Sequence, residues 1–181
     1  MRNCNESIPQ ACSYRPESSK PKNKETRRGD EHDRLTYSKQ VNCITELLPA
    51  HAIERSRYLD SLPEPAGPLH GLPVSVKEQF GFKGKINNNG FVVNCNRMQT
   101  NACTLNDALE DGCGAVIFAR TTQPQSVMHL ETNSNIYGRT VNPWNASLTA
   151  GGSSGGEGAL VGFKASPLVK LRCPSACRTW I

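Results

Sequence analysis

An α/β fold is what this chain predicts, on three observations. Val74-Ser75-Val76-Lys77 alternates apolar with polar residues, the two-residue period of a strand with one buried face. Ala115-Val116-Ile117-Phe118-Ala119 is an apolar, partly β-branched run of the type that forms a buried strand. A short helical pattern lies between the two, and strand, helix and strand in that order mark α/β architecture.

The elements follow along the chain. Apolar residues make up 36% of the 181 residues and mean hydropathy is −0.52, so the chain is polar for a compact domain. The polarity is concentrated at the start. Met1 to Gln40 is rich in Arg, Lys, Glu, Ser, Asn and Pro, and it cannot bury enough surface to offset its ordering entropy. Residues 1–40 are therefore expected to be a disordered tail, and residues 41–181 a partial domain. Ala50 to Ser61 reads as a helix with Ile53, Arg57 and Leu59 near one face and Pro63 beyond its end. A Pro/Gly-rich approach, Pro65 to Pro73, leads into the first strand. Leu105, Ala108 and Leu109 suit a short helix closed by Gly112 and Gly114, which feeds the second strand. After Arg139 the chain is turn-rich, then glycine-dense from Gly151 to Gly158, and Ala159 to Phe163 starts a helix behind that loop.

Charge and cysteine content narrow the function classes. The net charge of +5 comes largely from Lys20, Lys22, Lys24, Arg27 and Arg28. Acidic Glu25, Asp30, Glu31 and Asp33 interleave with them and no aromatic is placed to stack bases, so no nucleic-acid partner is expected. No apolar run approaches the roughly 20 residues a membrane span needs. Met1 does not open a signal peptide, so a cytoplasmic chain with its 8 Cys as free thiols is expected. Cys173 and Cys177 lack a second Cys/His pair at ligand spacing, so no metal site is expected.

Two features carry chemistry: Lys77 in an apolar strand, and Gly151-Gly152-Ser153-Ser154-Gly155-Gly156. Taken singly, a lysine at a strand end points to solvent, and a Gly/Ser run makes a flexible loop or an anion cradle. Together with their surroundings they say more. GPLHGLPVSVKEQF, ETNSNIYGRTVNPWN and GGSSGGEGAL occur in this order between about Val41 and Leu168. In these three motifs the chain resembles the amidase signature family, above all its fungal-type acetamidase, general amidase and fatty-acid-amide-hydrolase-like branch.

The resemblance implies a mixed β-sheet wrapped by helices and a Ser–cis-Ser–Lys triad that works without metal or cofactor. Lys77 stands where the family has its lysine base. Ser153 stands where it has the bridging serine, whose preceding peptide bond is cis, and Ser154, Gly151 and Gly152 stand at supporting positions. A serine hydroxyl needs a base to become nucleophilic, and lysine serves as that base only as a neutral amine, which burial favours. The bridging hydroxyl both donates and accepts, and so relays the proton. The Ser75 and Lys77 side of the strand is expected to face the site, with Val74 and Val76 in the core. The substrate implied is a small-molecule amide. Met128 and Tyr137 are read as core packing, and Glu131 and Asn135 as structural hydrogen-bonders.

The pattern breaks after the glycine loop. In the family the nucleophile follows in a segment like GxGTDxGGSxR, which also donates the oxyanion hole. Here Ser166-Pro167-Leu168 resembles the text before that segment and Arg172 to Ala176 the text after it, with only Val169, Lys170 and Leu171 between. No residue is identified as the nucleophile, and the chain is expected to be inactive. Ser175 and Ser154 are the candidate substitutes, but nothing in the sequence sets either against Lys77. A reading from another class keeps the glycine loop as the ligand site of a non-catalytic binding module. It predicts binding that survives Lys77→Ala and is lost with a bulky residue at Gly152. A third assigns the chain no function. The sequence leaves the oligomeric state open.

Overall fold

The computed structural model describes residues 40–168. Residues 1–39 of the expected disordered tail and the segment holding Cys173, Ser175 and Cys177 lie outside the described residues, while Gln40, the last residue of that tail, is described and helical.

Strand β1 (Ile44–Leu47) leads into helix α1 (Pro49–Asp60), and β2 (Pro73–Lys77) follows. A crossover then carries α2 (Thr104–Asp107), which runs into a π turn over Ala108–Gly112, before β3 (Val116–Thr121). Two short strands, β4 (Asn133–Ser134) and β5 (Gly138–Arg139), form a small antiparallel pair, and α3 (Gly155–Gly162) comes last. The main sheet has the order β1-β3-β2. β2 runs parallel to β3, as a crossover through α2 requires, and β1 runs antiparallel to it, so the sheet is mixed.

Three clusters hold the sheet. Val74 and Val76 of β2 and Ile117 of β3 pack with Leu48, Phe82, Leu109 and Ala115. Val116 packs against Ala52 and Leu59 of α1. Ala159 and Leu160 of α3 close on Val41, Cys43 and Ala150.

Helix α1 begins with Pro49 in its first turn, where the missing N–H has no intrahelical partner to lose. Its buried face is Ala52, Ser56 and Leu59, and not the expected Ile53, Arg57 and Leu59. Ile53 is half-buried and Arg57 is exposed in the last turn, where a cation suits the negative helix end. Ala52, Ser56 and Leu59 are spaced i, i+4 and i+7, so small Ala52 and Ser56 are the residues that let the helix lie close to the sheet. Ala108 is exposed, because the helical path widens to a π turn at that point. Helix α3 begins four residues earlier than the expected start at Ala159, so the glycine run is itself its first turn.

The register of β2 on β3 slips between Val74 and Ser75: Val74 pairs with Ile117, whereas Ser75 pairs with Ala119. One extra residue on β3 is the signature of a β-bulge, which re-aims every later side chain. Without it Lys77 would stand beside Arg120. With it Lys77 pairs with Thr121, and Val76 pairs with Arg120.

Candidate active site

The end of β2 and the start of α3 meet under the sheet. Ser75 and Lys77 share one side of β2, two residues apart, while Val74 and Val76 enter the core on the other. Lys77 is buried, and its Nζ donates to Ser153 Oγ at 3.0 Å. The peptide bond between Gly152 and Ser153 is cis.

Local contacts explain why small residues surround Ser153. Gly151 has φ +74°, in the left-handed region that glycine adopts without steric cost. A Cβ on Gly152 would lie 2.7 Å from the carbonyl oxygen of His129, and one on Gly156 would lie 2.5 Å from the backbone nitrogen of Thr122. Thr132 clamps the loop from outside: its hydroxyl donates to the Gly151 carbonyl and accepts from the Gly155 N–H, both at 2.9 Å. Ser154 stands before the first residue of α3, and its carbonyl accepts from Gly158 N–H at 2.9 Å. Its hydroxyl oxygen is buried and has no hydrogen-bond partner.

A carboxylate completes the arrangement. Glu157, in the first turn of α3 and four residues after Ser153, is fully buried. Thr121 Oγ1 donates to its Oε1 at 2.6 Å, and Ser75 Oγ donates to its Oε2 at 3.0 Å. Ser75 Oγ also lies 3.3 Å from Ser166 Oγ, whose hydroxyl donates to the Leu168 carbonyl at 2.8 Å. Burial raises the Glu157 carboxyl to about 7, against the opposing pull of the Thr121 and Ser75 hydrogen bonds and the Lys77 charge. Burial also pushes the nearby Cys43 thiol up to about 12, and the Glu157 charge adds to that.

A separate charged group holds the loop after β2. Glu78 accepts from the N–H groups of Asn88 at 2.7 Å and Asn89 at 3.0 Å, and Arg120 Nη2 lies 3.3 Å from it. Burial raises Glu78 as well, with the Asn88 hydrogen bond and the Arg120 charge opposing.

Of the residues singled out from sequence, Lys77, Gly152, Ser153 and Ser154 thus lie buried at one place, with half-buried Gly151 beside them. Glu157, Thr121 and Ser166 were not anticipated there. A lone carboxylate among Gly, Ala and Leu in the run Gly155-Gly156-Glu157-Gly158-Ala159-Leu160 was the available signal, since unpaired acids seldom sit in apolar surroundings. Two packing expectations are corrected. Met128 is 86% exposed, and follows a turn in which Ser126 and Val127 have positive φ. Tyr137 is only half-buried, with its hydroxyl accepting from Asn88 Nδ2 at 2.5 Å. Asn135 is exposed in the turn between β4 and β5. Of the described cysteines, Cys95, Cys103 and Cys113 are free thiols. Among the described residues no cluster of three or more His, Cys, Asp or Glu is placed to hold a metal ion, and no helix is long and apolar enough to cross a membrane.

The Amidase family profile matches residues 33–169, which span every element of this site. The chain belongs to the amidase family. It is 47% identical over 132 residues to the Schizosaccharomyces pombe protein C550.07, covering 71% of this chain and 25% of that one. It is 42% identical over 128 residues to the acetamidase of Emericella nidulans, covering 68% of this chain and 23% of that enzyme. Among solved structures, fatty acid amide hydrolase superposes with a TM-score of 0.70 at 36% identity, over 77% of this chain and 25% of that chain. The architecture is thus an amidase-signature fold, and the amidase-family chain spans about a quarter of the length of the relatives it matches.

Proposed function

We propose that this chain carries the base half of an amide-hydrolysing site, with Lys77 as the base, Ser153 as the bridging serine, and Ser154, Gly151 and Gly152 as its support. The observation that carries this reading is the buried 3.0 Å hydrogen bond between Lys77 Nζ and Ser153 Oγ. That separation lies within the reach of direct proton transfer.

The reaction is hydrolysis of a carboxamide to a carboxylate and ammonia or an amine. A serine nucleophile would give its hydroxyl proton to Ser153 Oγ while Ser153 gives its own to the Lys77 amine. The nucleophile's oxygen bonds the carbonyl carbon, and the tetrahedral oxyanion collapses with cleavage of the C–N bond. The departing amine takes the proton from the Lys77 ammonium, and water then releases the acid from the acyl-enzyme. Small or fatty primary amides are the substrate class, supported by relatives named acetamidase and fatty acid amide hydrolase.

The nucleophile and the oxyanion donors belong to the GxGTDxGGSxR-like segment, for which the sequence has only Val169, Lys170 and Leu171. One oxyanion donor is worth about 2.7–4 kcal/mol, and without a nucleophile the covalent route has no first step. The 181-residue chain is therefore read as inactive. Incubation with acetamide and with oleamide tests this: no ammonia above the buffer rate is expected. Ammonia release that disappears in Ser153→Ala would overturn the inactivity and retain the site.

A further inference from the structure

We propose that Glu157 and Lys77 form one coupled acid–base pair, in which the charge on Glu157 decides whether Lys77 is held as an ammonium or released as an amine. The inference rests on the reading of Lys77 as the base for its catalytic consequence, while the coupling itself stands on geometry.

The bulged register puts Lys77 directly beside Thr121, and Thr121 donates to Glu157 at 2.6 Å. Ser75, two residues before Lys77 on the same side of β2, donates to the other carboxylate oxygen at 3.0 Å. Ser153, which accepts from the lysine, stands just before the cap of α3, and Glu157 is in the first turn of that helix. The carboxylate is thus fixed from β2 and β3 at the side of the strand that presents the lysine. Both side chains are buried, so water does little to screen one from the other.

The other groups near the pair do not compete for this role. Cys43, before β1, remains an uncharged thiol over the neutral range. Ser75, Thr121 and Ser166 are neutral hydroxyls. Arg120 and Glu78 pair with each other through residues that alternate away from Thr121 and Lys77.

With Glu157 ionised, its negative charge favours the ammonium. With Glu157 protonated, that stabilisation is gone and desolvation favours the amine. The pair therefore passes through a state holding one proton fewer than its acid form, and its two midpoints belong to both residues together. This makes Glu157 a positioning residue that selects the form of the base without touching substrate.

The test follows 13C-labelled Lys Cε and Glu Cδ resonances of the full 181-residue chain by NMR from acid to alkaline pH. Glu157→Gln is expected to lower the Lys77 midpoint by about one pH unit, the scale of a removed neighbouring charge. Lys77→Met is expected to raise the Glu157 midpoint by a comparable amount, since coupling is reciprocal. The wild-type Lys77 resonance is expected to show a second inflection at the Glu157 midpoint, a readout that stands even where neither variant folds. An unmoved midpoint in a folded variant, or a single-step Lys77 curve in the wild type, would overturn the proposal. No substrate is involved, so failure of the coupling leaves the amidase reading intact, and absence of hydrolysis leaves the coupling measurable.

Discussion

Single residues at the α3 start have no room to change. Gly156→Ala would drive a methyl against the Thr122 backbone, and overpacking of that kind costs about 1–3 kcal/mol. Gly112→Ala places its methyl in open space and should change stability little. Urea unfolding of the two variants against wild type checks the contrast. Cys43 should resist alkylation by iodoacetamide at mildly alkaline pH while half-buried Cys95 and Cys103 react, because burial holds its thiol at about 12. Glu157 sets a pH dependence of known sign. Its folded-state value of about 7 lies above the ordinary carboxyl value of 4.5, so the folded protein binds the extra proton between those limits. Its contribution to stability is full below pH 4.5, falls as pH rises towards 7, and is level above that. The loss from this group is of the order of 3 kcal/mol and should be absent in Glu157→Gln, as read from unfolding free energies across that range. Lys77 and Ser153 were legible in sequence because their motifs are distinctive. Glu157 was not, because its place in the first turn of α3 emerges only when the helix starts at Gly155 and not at Ala159.

At the scale of elements, strands were easier to read than helix faces. The alternation in Val74 to Lys77 marks which side is buried by its period alone. Helix α1 misleads because its two largest apolar-looking positions, Ile53 and Leu59, do not share a stripe, whereas small Ala52 and Ser56 do share one with Leu59. Leu59→Ala should therefore cost about 2–5 kcal/mol, as core truncations do. Arg57→Ala on the exposed side should stay within about 0.5 kcal/mol, again by urea unfolding. The bulge between Val74 and Ser75 had no sequence signature. It depends on which β3 residue meets which β2 residue, a tertiary matter, yet it brings Thr121 in place of Arg120 to the lysine.

For the molecule as a whole, composition and order of elements pointed to an α/β chain, and the observed sheet is mixed and flanked by helices. What the sequence motifs left open was the assembly: β1 pairs antiparallel to β3 across a long separation, and no local pattern encodes that pairing. That residues 41–168 carry a competent base and bridging serine is the proposal on which the functional reading depends. It is tested most directly by replacing the matching stretch of the Emericella nidulans acetamidase, 42% identical over 128 residues, with these residues. The folded chimera is predicted to release ammonia from acetamide, and Lys77→Ala and Ser153→Ala within it are each predicted to lower kcat by about 100-fold or more. A folded chimera without activity, or one indifferent to both substitutions, would contradict the claim.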